Sequence, residues 1–213
     1  MAVFAIHSYR PVPGRAADLV ASMAAAKKIV ERHGARVFVW SPVTGGDAGS
    51  LLFVNGYASQ GDYGRGMDSI GNDPEWQAFW AGLMADPSGV NLENYLLSDL
   101  DPSDGLPAVQ PGVRVSVTFK TRPGRLAEHM AAAATAKAHI VRLGGMARTV
   151  QSFGRADSTI TTLIGFEDFT HYGEFGEKLD VDEQWAAFWI GMSADPPAEQ
   201  VESAVVARFD LPE

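Results

Sequence analysis

Pro13-Gly14-Arg15 returns as Pro123-Gly124-Arg125, 110 residues further on, and most of the chain returns with it. At the same offset Lys27 meets Lys137, Arg32 meets Arg142 and Gly34 meets Gly144. With one residue fewer in the second copy the register continues. Gly56 meets Gly165, Tyr63-Gly64 meets Tyr172-Gly173, Trp76 meets Trp185, Ala78-Phe79-Trp80 meets Ala187-Phe188-Trp189, and Ala85-Asp86-Pro87 meets Ala194-Asp195-Pro196. A duplication of this length constrains the fold more than any composition can, because the two copies must adopt one architecture and bury their faces together. Between them, Asp101 to Gly112 carries Pro102, Pro107, Pro111, Gly105 and Gly112, which suits an extended connector. The boundary is placed near residue 105, with repeat units at 1–101 and 112–213.

Each copy opens on a strand-length segment, residues 3–10 and 113–120. In the second, Val113, Val115, Val117 and Phe119 alternate with Arg114, Ser116, Thr118 and Lys120, the period of a strand with two unlike faces. An alanine-rich helix follows the Pro-Gly turn at 15–33 and 125–143 and stops at Gly34 and Gly144. Strands are predicted at about 35–42 and 50–57, and again at 146–153 and 158–166, as hairpins. A second helical stretch comes next, at 59–70 with a further turn at 74–84, and at 168–178 with 182–193. A last strand closes each unit, at about 90–99 and 201–210. The order βαββαβ, twice, is that of tandem ferredoxin-like units in the α+β class. One such unit leaves a sheet face bare, so the two sheets are expected to meet as a pseudo-dimeric α+β barrel within one chain, with a cleft between sheet and helices in each half.

Charge and composition narrow the partners. The net charge of -9 opposes a phosphate backbone and an anionic membrane surface, so neither nucleic acid nor membrane is expected as a partner. With no cysteine there is no disulfide framework, thiolate nucleophile or thiolate metal site. No apolar run approaches the ~20 residues that span a bilayer, and a cytoplasmic location is expected. Among the five histidines no two lie at i, i+4, so no metal site is expected.

Three stretches carry a resemblance: the strand-Pro-Gly-Arg-helix opening, Glu31-Arg32-His33-Gly34-Ala35-Arg36 ahead of the second strand, and Asp73-Pro74-Glu75-Trp76-Gln77-Ala78-Phe79-Trp80. Together they resemble the dimeric α/β barrel superfamily, most closely its NIPSNAP-like and antibiotic-biosynthesis-monooxygenase-like branches. The resemblance covers both copies. It implies the fold and a small-molecule pocket between sheet and helices, while the chemistry varies across cofactor-independent oxygenases, haem-degrading oxygenases, isomerases and dehydratases. In the haem-degrading relatives a first-strand Asn and a second-helix Trp and His carry function. His7 stands where that Asn would be and Trp80 about where the His would be, so the resemblance implies no haem, and no cofactor is expected.

The duplication also serves as an internal control: positions the fold requires should match between copies, and a site used in one cleft should not. His7 meets Val117, Tyr9 meets Phe119, Tyr57 meets Phe166, Arg36 meets Met146, His33 meets Leu143 and Trp40 meets Val150. Copy one is polar where copy two is plain. A cleft mainly in copy one is therefore expected, with His7, Tyr9 and Arg36 as catalytic candidates and Lys27, Trp40, Tyr57 and Trp80 as substrate-binding ones. His7 could be a general base or bond an anionic substrate, or else a core histidine bonded to a carbonyl. Lys27 could hold a substrate oxygen or lay its methylenes on the core. The tryptophans could wall a cleft for a flat ligand or simply pack.

Three functions follow. The first is a cofactor-independent oxygenase for an aromatic or polyketide-like substrate. The second is a non-catalytic binder of small apolar acids. The third is a structural or assembly protein with filled clefts. One chain is expected as the minimal folded unit, with homodimers through outer surfaces left open.

Overall fold

The computed structural model describes residues 1–101, 106, 110–154 and 159–212. Most of the proposed connector thus lies outside the described residues. Copy one runs β1 (Val3–Pro11), α1 (Ala16–Arg32), β2 (Arg36–Thr44), β3 (Leu51–Tyr57), α2 (Gln60–Gly71), α3 (Pro74–Ala85) and β4 (Gly89–Asp99). Copy two repeats it as β5 (Val113–Thr121), α4 (Leu126–Arg142), β6 (Met146–Phe153), β7 (Thr159–Phe166), α5 (Phe169–Asp180), α6 (Glu183–Ala194) and β8 (Ala198–Arg208). The further turn expected after the second helix is a full helix in both copies, because Asp73 and Asp182 each start it by accepting backbone N–H bonds, from Glu75 and Trp76 in one and from Trp185 in the other. Gly34 and Gly144 end the first helix of each copy at φ of 89° and 104°, a region that favours glycine.

The strands form a single closed barrel in the order β1-β3-β2-β8-β5-β7-β6-β4. Within each copy the ladder is the ferredoxin-like 4-1-3-2. Two seams, β2 on β8 and β4 on β6, join the copies edge to edge and leave no free sheet edge. The pseudo-dimeric barrel expected from the repeat is the architecture found, closed through shared hydrogen bonds as well as face-to-face contact.

Alternation along each strand then separates two cores. Val37, Val39, Phe53 and Tyr57 face outward and pack under α1 with Leu19, Met23, Ile29 and Val30. Phe4, Ile6, Trp40, Val54, Leu97 and Val206 face inward and fill much of the barrel. A third cluster, with Val113, Ile140, Phe166 and Phe175, sits under the helices of copy two. Among the described residues no helix is long and apolar enough to cross a membrane.

Candidate active site

The cleft of copy one has its floor on the outward faces of β1, β3 and β4 and its walls on α1 and α3. Its volume is about 630 Å³, and His7, Tyr9, Tyr57 and Trp80 all line it. His7 and Tyr9 lie two apart on β1 and so share a face. The partner side chains come from β4. His7 Nδ1 lies 2.8 Å from Asn94 Oδ1. Asn94 is three residues from Asn91, a spacing that in a regular strand would send them to opposite faces. A bulge between Ser8 and Tyr9 brings both to the cleft: His7 is opposite Asn94, Tyr9 is opposite Asn91, and Leu92 is skipped.

This arrangement fixes the histidine tautomer. Asn91 Nδ2 donates to the Ser8 carbonyl at 3.4 Å and to Asn94 Oδ1 at 2.9 Å, while Asn94 Nδ2 donates to Asn91 Oδ1 at 2.7 Å. A backbone carbonyl accepts only, so Asn91 presents its amide nitrogen there and Asn94 turns its oxygen to His7. The proton is then on Nδ1, and Nε2 carries the lone pair. Burial pulls the His7 pKa below 6.5 against the opposite pull of Asn94, which favours neutral imidazole at neutral pH. Burial raises the phenol pKa of Tyr9, which opposes ionisation and keeps it a hydrogen-bond donor.

Asn55 was not singled out by the sequence. It sits on β3 between Phe53 and Tyr57, is buried and lines the cleft, and its Oδ1 has no hydrogen-bond partner. Its counterpart in copy two is Ile164, so the comparison of copies held the signal. Opposite the sheet, Trp76 and Trp80 stack at 5.8 Å between centroids and form a flat aromatic wall, Trp80 being 45% exposed at the rim. Among the described residues no helix histidine lines this cleft; His33, just past α1, is held outside it by Ser69 and Asp73, each at 2.7 Å. These residues do not fit a haem held by a helix histidine.

Three candidates lie elsewhere. Arg36 and Trp40 were expected in this cleft, but both point to the opposite face of β2 from Val37 and Val39. Trp40 is buried in the barrel wall, and Arg36 is exposed at the strand's end with its guanidinium 5.4 Å from the Phe38 ring. Lys27 was expected at the cleft mouth, but the stripe of α1 over the cleft is Leu19, Met23, Ala26 and Val30. Lys27 instead bonds Glu31 at 2.8 Å and shares with Arg36 a separate groove of about 840 Å³ beside residues 208–212. The site was also expected mainly in copy one, yet copy two has its own cleft of about 460 Å³, lined by Val117, Phe119, Ile164 and the His129 ring. Neither cleft is filled by side chains, against the expectation for a purely structural protein.

No protein-family model matches the chain, and no curated protein matches it in sequence. Solved structures do. A candidate monooxygenase from Fusobacterium nucleatum superposes with a TM-score of 0.66 at 8% identity, over 98% of this chain and 93% of its own. An anthrone oxidase-like protein gives 0.60 at 14% identity, over 98% and 92%. A variant chlorite dismutase from Candidatus Nitrospira defluvii gives 0.58 at 12% identity, over 99% and 92%. The chain therefore has the dimeric α/β barrel fold.

Proposed function

We propose that the copy-one cleft is the active site of a cofactor-independent oxygenase acting on a flat aromatic or polyketide-like substrate. One observation carries this reading: a desolvated imidazole with Nδ1 tied to Asn94 and Nε2 free, at the floor of an apolar cleft with an indole wall. That is a general base next to a platform for a planar ligand. The likeness in fold to an anthrone oxidase-like protein supports the substrate class.

The step balances with oxygen alone. His7 Nε2 takes one proton from an acidified ring CH₂, and the carbonyl conjugated with it through the ring system becomes an enolate oxygen held by the Tyr9 hydroxyl. The carbanion carbon passes its electrons to O₂ and forms a C–O bond, and the proton returned by His7 gives a hydroperoxide. Loss of water from that CH–OOH leaves a new carbonyl, so CH₂ plus O₂ becomes C=O plus H₂O. Burial keeps the base neutral before the step, and the Tyr9 hydroxyl, kept as a donor, stabilises the enolate oxygen that forms.

Oxygen uptake with anthrone as substrate tests this. His7→Val imports the copy-two residue and should keep the fold while lowering turnover at least tenfold, a lower bound set under the roughly 100- to 10,000-fold that a positioned general base supplies. In the unsubstituted protein kcat/KM should be flat through neutral pH and fall on acidification only below pH 6.5, because the His7 pKa is lowered. Binding without oxygen uptake would favour the non-catalytic binder of small apolar acids. Turnover unchanged in His7→Val would remove His7 from the chemistry.

A homodimer through outer surfaces belongs to the same proposal. Neither α3 nor α6 has a fully buried residue, and Met84 and Ile190 are 71% and 74% exposed. Sedimentation should give twice the 22.8 kDa of one chain, reverting to one chain on Met84→Glu with Ile190→Glu.

A further inference from the structure

The barrel interior is polarised in a way that neither cleft explains. At matched positions on the inward face, copy one has Phe4 and Phe38 where copy two has Arg114 and Arg148. The register confirms the match: Phe4 and Arg114 stand opposite the paired glycines Gly56 and Gly165, and Phe38 and Arg148 opposite Val54 and Leu163. Between the two halves lies a cavity of about 290 Å³, at the small end of ligand sites, which run from roughly 300 to 1,000 Å³. Its lining includes the exposed residues Met146 and Glu202, so it reaches solvent.

The two arginines differ in their counter-charges. Arg148 has Asp99, itself 1% exposed, with Nη2 to Oδ2 at 3.2 Å. Arg114 has no acidic partner among the described residues. Its guanidinium lies 4.4 Å from the centre of the Trp40 ring, and one of its five N–H donors reaches a neutral acceptor, Gln110 Oε1, at 3.3 Å. Of the described carboxylates only Glu202 lines the cavity, and it is exposed at the rim. Desolvation together with the like charge of Arg148 draws the Arg114 pKa down to about 10. A half-buried guanidinium facing a cavity, with no carboxylate in ion-pair contact among the described residues, is costly unless an anion completes it. The indole N–H of Trp40, in the same wall, also lacks a partner.

We propose that the barrel interior is a second binding site, separate from the cleft, for a small amphipathic carboxylate. The carboxylate lies on the Arg114 guanidinium, and the hydrocarbon or aryl part lies among Phe4, Ile6, Phe38 and Leu52. Guanidinium and carboxylate match as a two-point charged pair, and the aromatic half excludes a fully polar anion such as free phosphate. The inference does not depend on the oxygenase reading, since no residue of the cleft takes part.

Calorimetric titration of the full chain with 2-naphthoate, and with neutral 2-naphthol at pH 7, tests it. The acid should bind at one site with a Kd below about 1 mM and at least tenfold tighter than the naphthol. Arg114→Gln should abolish that preference, while His7→Val should leave it unchanged. Should Arg114→Gln fail to fold, intermolecular NOEs in the unsubstituted protein decide: contacts to the methyl groups of Leu52, Val54 and Leu163 place naphthoate in the barrel. Contacts confined to Leu19 and Leu83 would place it in the cleft and overturn the proposal. Equal affinity for acid and naphthol, or no saturation, would overturn it too.

Discussion

His7 and Asn55 lie on one outward face of the sheet, at positions where copy two has Val117 and Ile164. Asn55 keeps a buried acceptor without a donor, which costs about 1 to 3 kcal/mol, whereas Ile164 at the matched position of copy two bears no such cost. Asn55→Ile should therefore raise stability by about 1 to 2 kcal/mol in denaturant unfolding while weakening any cleft ligand that donates a hydrogen bond. No gain in stability would mean that Oδ1 is already satisfied by water. Comparison of the copies made His7, Tyr9 and Tyr57 legible because single polar residues stood against apolar ones. It did not reveal Asn91 and Asn94, whose counterparts Gln200 and Ser203 are also polar. It misplaced Arg36 and Trp40 for a different reason. Which face of β2 shares a side with His7 depends on inter-strand register, here Arg36 opposite Gly56 and His7 opposite Phe53, and that pairing is not written in either strand alone.

At the scale of elements, the motifs that recur in both copies turn out to be clamps between elements. Arg15 at the start of α1 grips Asp86 at the end of α3, with Nη1 to Oδ1 at 2.5 Å, and Arg125 grips Asp195 in the same way at 2.6 Å. This accounts for the repetition of both Pro-Gly-Arg and Ala-Asp-Pro. Arg32 lies 3.6 Å from Asp73, and Arg142 lies 2.7 Å from Asp182, joining each long helix to the start of the helix that walls its cleft. His33, polar against Leu143, belongs to this joint and not to the cleft. The order of elements could be read from such punctuation, whereas the bulge that skips Leu92 could not, since nothing in Asn91-Leu92-Glu93-Asn94 marks it. Asp182 offers a pH test of the joints. Arg142 and the Trp185 backbone N–H hold its carboxyl at about 2, below the ordinary 3.8. A depressed carboxyl adds stability that is fully present above 3.8 and is lost as pH falls toward 2. Asp182→Ala should thus lower the melting temperature at pH 7, and the gap from the unsubstituted chain should close as pH approaches 2. Circular dichroism melts across that range measure it, and a gap independent of pH would exclude the charged pair as its source.

For the whole molecule, duplication explains the architecture and divergence explains why the halves need each other. The seams β2–β8 and β4–β6 are equivalent, so a fragment of one copy could in principle close a barrel with a second molecule of itself. The inward faces decide otherwise for copy two. Its homodimer would place two Arg114 and two Arg148 in one interior and would lack Asp99, which belongs to β4 of copy one. Buried cations without counter-charges cost several kcal/mol each, a large fraction of the stability of an ordinary domain. A copy-one homodimer would instead set Phe4, Phe38, Trp40 and Leu52 against their own duplicates, crowded and mostly apolar, and would leave two Asp99 without Arg148. A buried carboxyl can take up a proton and become neutral, which a guanidinium cannot match by losing one, so the penalty is smaller. Residues 1–101 expressed alone should therefore self-associate into a folded species, residues 112–213 alone should not fold, and an equimolar mixture should give a 1:1 complex that melts above either. Light scattering with circular dichroism on the three samples reads all of this. A stable folded dimer of 112–213 would show that the barrel tolerates four buried guanidinium groups, and the interior asymmetry would then have no energetic role in pairing the copies.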